Sequence, residues 1–324
     1  MLEAVPTSST PTQSTGGTDT FIRATEVWQL DDTGERLVLA SGIYGDMHDF
    51  AAVSGGESFG RGEGLPGRTW AEQRPQVLKS FNPQTFKRTE AANAAGLTAG
   101  VSLPVFRGDQ LTGVVVFLCA ADDDTIGAIE VWAANEDTGG IMALDDGYFG
   151  AARHFEWISK HTTSPEGMGL PGGVWGTGRA KLVRDLGASY RFIRSEAAGD
   201  AGLTTGLGLP VSSQHDDPFV VTLLSARGTP IARRFEIWAA GASGFTYLDG
   251  ICENEGEPYG GTIGTALTEV ASAAARQVAE TGAPLAASAT DLADPIAAAN
   301  GYGSAVGVPV YEGGALAQIV VWYF

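Results

Sequence analysis

Three runs along the chain are apolar at nearly every position: Gly113 to Leu118, Phe219 to Leu224 and Ile319 to Phe324. A strand with one wet face alternates, so unbroken apolar runs predict strands at the centres of sheets, covered on both faces. The first is the core of Leu111 to Cys119, joined to Gly100 to Phe106 by the polar turn Arg107-Gly108-Asp109-Gln110. The Trp28 segment and Leu37-Val38-Leu39 flank Asp31-Asp32-Thr33-Gly34, a hairpin signal. Tyr44 to about Val53 and Phe149 to Ile158 read as helices, with Phe50 and Phe155 as equivalent apolar anchors. Gly64-Leu65-Pro66-Gly67 and Gly169-Leu170-Pro171-Gly172 each open a short helix, where the missing proline N–H costs nothing. Thr265 to Ala279 carries Leu267, Val270, Ala274 and Val278 on one helical stripe. Strands with short turns mixed with helices predict an α+β fold.

These elements recur. Thr25-Glu26-Val27-Trp28 returns as Ile129-Glu130-Val131-Trp132 and as Phe235-Glu236-Ile237-Trp238, the tryptophans lying 104 and 106 residues apart. Gly64 to Trp70 returns as Gly169 to Trp175, with a weaker copy at Gly261-Thr262-Ile263-Gly264. Arg88-Thr89-Glu90-Ala91-Ala92 matches Arg194-Ser195-Glu196-Ala197-Ala198, and Gly100 to Val105 matches Gly206 to Val211 and Ala305 to Val310. Ordered blocks at one period predict tandem units: 19–121, 122–228 and 229–324, after a Ser/Thr/Pro/Gly-rich tail over 1–18 that cannot bury an apolar face. From tryptophan to the second glycine of the turn the spacing is 39 and 40 residues, but 26 to Gly264. The third unit is therefore expected to lack or shorten the aromatic helix and to act as a terminal cap.

The acidic-aromatic strand, the aromatic helix, Gly-Leu-Pro-Gly-x-x-Trp, the Arg-x-x-x-Ala-x-x-x-Gly-Leu block and the Pro-Val hairpin together resemble GAF domains. The first two repeats carry every element and the third only the strand motifs and a glycine remnant. The resemblance implies three tandem GAF-like domains, each a central antiparallel sheet with helices on one side and a potential ligand cavity on the other. It implies modules for small molecules, chromophores or interactions, with signal transduction as the context. GAF domains in signalling proteins usually sit between long relay helices. Here only Ala120 to Ala128, with Asp122-Asp123-Asp124 as a polar turn, and Ser225 to Arg234 join the units. Connections this short predict a compact array with little hinge freedom. Phe324 closes the last strand, so no catalytic or DNA-binding output is expected and the signal would pass to a protein partner.

Charge narrows the function. The 324 residues carry 20 Lys plus Arg against 38 Asp plus Glu, a formal charge of −18. Such a chain repels phosphate backbones and anionic headgroups, which argues against nucleic-acid and membrane partners. No apolar run is long enough to span a bilayer, and the start MLEAVPTSST lacks a basic region followed by an apolar one. A cytoplasmic acidic protein is expected. Cys119 and Cys252 are too few for a disulfide framework. Some GAF proteins reduce free methionine sulfoxide with several cysteines in one domain and some bind bilins through one; no repeat here has more than one cysteine and the second has none, so neither chemistry is expected.

Gly62 to Gly67 and Gly167 to Gly172 fit G-x-G-x-x-G, but Lys87-Arg88 stand where a dinucleotide site needs an acid, so tight turns explain the glycines. His48 and His154 occupy non-equivalent positions, and no His/Cys/Asp cluster has ligand spacing, so neither haem nor metal is expected. Glu26, Glu130 and Glu236 share a strand face with their tryptophans, which fits a buried or interface carboxylate bonded to the backbone or to an indole N–H. Those tryptophans are expected to cement contacts between units. Arg88 and Arg194 occupy equivalent places, either as a structural ion pair or carbonyl clamp or lining a cavity. On the second reading a ligand pocket draws on Tyr44, Phe50, Trp70 and Arg88, and on Tyr148, Phe155, Trp175 and Arg194. No nucleophile–base pair recurs, so no enzyme and no cofactor is expected. A small-molecule regulatory role is the leading expectation, and a protein-interaction scaffold with filled cores the alternative.

Overall fold

A computed structural model describes residues 20–120, 125–211, 217–253, 262–269 and 271–324. The first repeat contributes β1 (Ile22–Leu30), β2 (Arg36–Ile43), α1 (His48–Gly55), β3 (Ser58–Gly60), α2 (Gly64–Glu72), β4 (Gln76–Leu78), α3 (Thr89–Ala94), β5 (Leu97–Arg107) and β6 (Gln110–Ala120). The second contributes β7 (Ile126–Ala133), β8 (Met142–Gly150), α4 (Arg153–Lys160), β9 (Thr163–Ser164), α5 (Gly169–Trp175), β10 (Lys181–Arg184), α6 (Ser195–Asp200), β11 (Leu203–Val211) and β12 (Phe219–Ala226). The third contributes β13 (Arg234–Gly241), β14 (Gly244–Cys252), α7 (Ala273–Thr281), β15 (Leu285–Ser288), α8 (Ala289–Leu292), α9 (Pro295–Asn300), β16 (Ser304–Glu312) and β17 (Ala315–Tyr323).

Each repeat builds its own antiparallel sheet with a few short helices. The strand orders are β3-β2-β1-β6-β5-β4, then β9-β8-β7-β12-β11-β10, then β14-β13-β17-β16-β15. The same bulge interrupts the first hairpin of all three sheets, immediately before Trp28, Trp132 and Trp238.

The apolar runs lie at sheet centres and are divided by their alternation. Val114, Val116 and Leu118 pack under the helices of their own unit, whereas Val115, Phe117 and Cys119 face the other way. That second face is not a ligand cavity, contrary to what the family resemblance implies. The helix-free faces of all three sheets meet in a single apolar core, which holds Val27, Val131 and Ile237 beside Val221, Val320 and Trp322. Joining strands directly, without relay helices, leaves each of these faces uncovered, and three such faces bury one another. The contacts between sheet edges close on themselves: β4 lies against β8, β10 against β14, and β15 against β2.

Side chains at these junctions change in matched pairs. Lys79 reaches Asp146 at 2.7 Å between units 1 and 2, and Arg184 reaches Asp249 between units 2 and 3. The strand registers put Ser288 and Ser41 at the corresponding places of the third junction, where Ser41 Oγ accepts from the Ala286 N–H at 3.1 Å.

Several expectations need correction. Trp28, Trp132 and Trp238 do not cement contacts between units; each is buried beneath the helices of its own sheet. Phe149 lies within strand β8, which runs to Gly150, rather than starting a helix, and the helix begins at Arg153. The third-unit helix spans Ala273–Thr281, where Ser272 accepts from the Ala275 N–H and Gly282 stops the helix in a left-handed turn. Leu267 instead runs along β14 through its N–H to Phe245, and Val270 lies outside the described residues.

Gly261-Thr262-Ile263-Gly264 is also not the third copy of the glycine turn. Val278 and Ala274 of α7 cover Gly307 as Val174 and Leu170 of α5 cover Gly208, and seven residues separate both Val174 from Lys181 and Val278 from Leu285. The third copy is Ala273-Ala274-Ala275-Arg276, which restores a spacing of 38 residues from Trp238. Where the aromatic helix would fall, residues 254–261 are outside the described set, as are the tail and Asp122-Asp123-Asp124.

Candidate functional site

In unit 1, alternation along β1 turns Glu26 and Trp28 toward the helices, and a turn of chain before α3 brings Arg88 over them. Arg88 Nη2 donates to Glu26 Oε2 at 2.9 Å, and its Nη1 reaches both Glu26 Oε1 and Ser54 Oγ. Two more donors meet the Glu26 carboxylate: Trp28 Nε1 donates to Oε2 at 3.0 Å, and Tyr44 OH donates to Oε1 at 3.1 Å. The guanidinium lies 4.9 to 5.2 Å from the ring centres of Phe50, Phe86 and Trp28. A buried charge pair survives desolvation only when its hydrogen-bonding groups are met, and the aromatic faces add further attraction for the cation.

Unit 2 repeats the arrangement. Arg194 Nη2 donates to Glu130 Oε2 at 2.9 Å, its Nη1 reaches Glu130 Oε1 and Ser159 Oγ, and Trp132 donates to the same carboxylate at 3.0 Å. Thr222 adds a donor at 2.7 Å, where unit 1 has Val116. Phe155, Trp132 and Phe192 stand 4.7 to 4.9 Å from the cation. Burial pushes the Glu130 carboxyl up, but the charge and hydrogen bonds of Arg194, with those of Thr222 and Trp132, hold it below its ordinary value.

In unit 3 Ala293 occupies the arginine's sequence position, yet the unit keeps a guanidinium. Arg234, two residues before Glu236 on the same strand face, reaches it from within the sheet, and Trp238 Nε1 donates to the carboxylate at 3.0 Å. The third unit thus meets its glutamate with a guanidinium drawn from a different position of the repeat. Burial is the largest cause holding the Glu236 carboxyl above its ordinary value; Arg234 and Trp238 oppose it, and the Asp294 charge adds to it.

Of the candidate ligand residues, Tyr44, Phe50 and Arg88 come together at Glu26, and Phe155 and Arg194 at Glu130. Trp70 and Trp175 stand on α2 and α5 at the rim of the helix-side cores. Tyr148 is not the counterpart of Tyr44. It faces the shared core, 5.5 Å from the Phe21 ring, with its OH on the Ala120 carbonyl at 2.8 Å. Phe149 takes the Tyr44 side of the sheet, against Phe155. The space beside Arg194 measures about 10 Å³, enough for a water molecule.

The G-x-G-x-x-G glycines make tight turns: a Cβ on Gly67 would lie 2.1 Å from the Gly60 carbonyl oxygen, and one on Gly172 1.9 Å from that of Pro165. Cys119 is wholly buried, and burial pushes its thiol well up. Among the described residues no three His, Cys, Asp or Glu gather as metal ligands, and no helix is long and apolar enough to cross a membrane.

No protein-family profile matches the chain, and no curated protein sequence matches it significantly. Solved structures do. The reduced form of fRMsr from Staphylococcus aureus is 20% identical with a TM-score of 0.24, over 31% of this chain and 56% of that one. The GAF domain of a phosphoenolpyruvate-protein phosphotransferase from Coxiella burnetii is 20% identical with a TM-score of 0.25, over 30% and 56%. The second GAF domain of DevS from Mycobacterium smegmatis is 18% identical with a TM-score of 0.23, over 31% and 62%. Each match is about one unit long and spans less than two thirds of the other protein. Within units 1 and 2, Ser54 and Ser159 are the site residues that the sequence reading passes over, although Phe50 and Phe155 each precede a serine by four residues.

Proposed function

We propose that this chain is a non-catalytic regulatory protein of three tandem α+β GAF-like domains, acting in the cytoplasm on a protein partner, with interiors that are filled. One observation supports this above others: Arg88 and Arg194, the groups best suited to grip an anionic metabolite, are spent on Glu26 and Glu130. A ligand meeting Arg194 would have to displace Glu130 and open a space now about 10 Å³ in volume. Recognition then belongs to the outer surface and the junctions between units.

A metabolite thermal-shift screen on the wild type and on the double variant Arg194→Met/Glu130→Leu tests this, because a ligand that binds the native state raises its melting temperature. The expected result is that any stabilising compound acts equally on both. A compound that stabilises the wild type alone would overturn the filled-interior reading.

A further inference from the structure

We propose that the groove between units 2 and 3 is a binding site for a small amphipathic carboxylate, its apolar body in the groove and its anionic head on Lys181 and Arg191. The groove encloses about 710 Å³, within the range of roughly 300–1,000 Å³ that small-molecule sites occupy. Leu170, Leu182 and Ile237 form its floor. Five exposed apolar side chains converge on its rim: Met168, Tyr190, Ile193, Leu248 and Ile263. Clustered exposure of this kind marks interaction sites.

The internal repeat shows what these positions hold when no such site is built. In unit 1 and its junction with unit 2, Met168, Ile193 and Leu248 correspond to Glu63, Lys87 and Asp145. Lys87 there pairs with Glu63 at 3.0 Å, and Asp145 with Arg74 at 3.1 Å. In place of these charges the groove has apolar atoms, with Met168 58% and Ile193 46% exposed. At the same time Gln76 and Thr85 become Lys181 and Arg191. One net negative charge has become two positive ones, on a chain of formal charge −18. Neither cation has a carboxylate partner among the described residues, whereas Asp249 in the groove is paired with Arg184. Among the described residues the Arg191 guanidinium meets only the Tyr190 hydroxyl and ring, and an apolar trough whose cations meet no carboxylate complements an anion on an apolar body.

The inference goes beyond the filled-interior reading and does not depend on it. Calorimetric titration of the full chain with decanoate, decanol and decylamine at matched sub-micellar concentrations tests it. Decanoate is expected to bind saturably at one site, and the two analogues at least about tenfold more weakly. Lys181→Gln should weaken decanoate by about tenfold. Met168→Glu/Ile193→Lys, which installs the unit 1 ion pair, should abolish binding while leaving the melting temperature within a degree or so of wild type. Absence of decanoate binding, equal binding of decylamine, or binding that survives Met168→Glu/Ile193→Lys would each overturn the proposal.

Discussion

At the scale of single residues, Glu130 and Arg194 form a pair in which neither member is tolerable alone. Arg194→Ala would leave a buried carboxylate with only Trp132 and Thr222, a loss of about 3–5 kcal/mol in urea unfolding. The pair also sets a pH dependence. The Glu130 carboxyl is lowered in the folded state, so its contribution is present above the unfolded value and is lost as pH falls through the folded one. Stability of Glu130→Gln followed from neutral to acid pH should therefore fall less steeply than that of wild type. Glu236, whose carboxyl is raised, contributes in the opposite sense, so Glu236→Gln should cost less than Glu130→Gln at neutral pH. The repeated glutamate, tryptophan and arginine are all visible in the sequence, as is the indole N–H as one of two partners open to the carboxylate. Their union with the arginine is not, because partners 62 and 64 residues apart meet only once the sheet and helices are assembled. Arg234 escapes notice for a related reason: it replaces an arginine from another part of the repeat, so no alignment position carries it.

Elements with local chemistry are legible. The Asp31 to Gly34 hairpin turn, the Gly-Leu-Pro-Gly helices and the unbroken apolar strands follow from the residues alone. Where the sequence reading fails, a local pattern imitates a distant one. Gly261 and Gly264 copy the glycines of the turn, but Ile263 is 74% exposed where Pro66 and Pro171 are buried. The true register follows the packing of α7 on Gly307, and Ala273 to Ala275 carry no glycine signal. The aromatic Tyr148 also misleads, because one step along β8 exchanges the two faces of the sheet. The glycine turns themselves are strict. Gly172→Ala places a methyl inside the Pro165 carbonyl, so the α5 start must shift, and thermal unfolding should show a loss of several degrees. Gly34→Ala, strained at a φ of 73° but with open space around its Cβ, should cost less.

For the molecule as a whole, short connections correctly point to a compact array, but periodicity cannot say which face of each sheet meets the others. Both faces of β6, β12 and β17 are apolar, so the hydrophobic pattern is symmetric between them. The decision comes from Arg88 and Arg194, which draw the glutamate face beneath the helices and leave Val27 and Val131 for the shared core. Trp322 is the large anchor of that core, 5.9 Å from the Phe117 ring of unit 1. Trp322→Ala should destabilise the whole chain by about 3–5 kcal/mol, measured by denaturant unfolding. Three sheets that bury their bare faces in one another have no means of unfolding singly. Scanning calorimetry of the intact chain tests this directly: one transition is expected, with calorimetric and van't Hoff enthalpies in agreement. Two or three resolved transitions, each sized for a single unit, would contradict it.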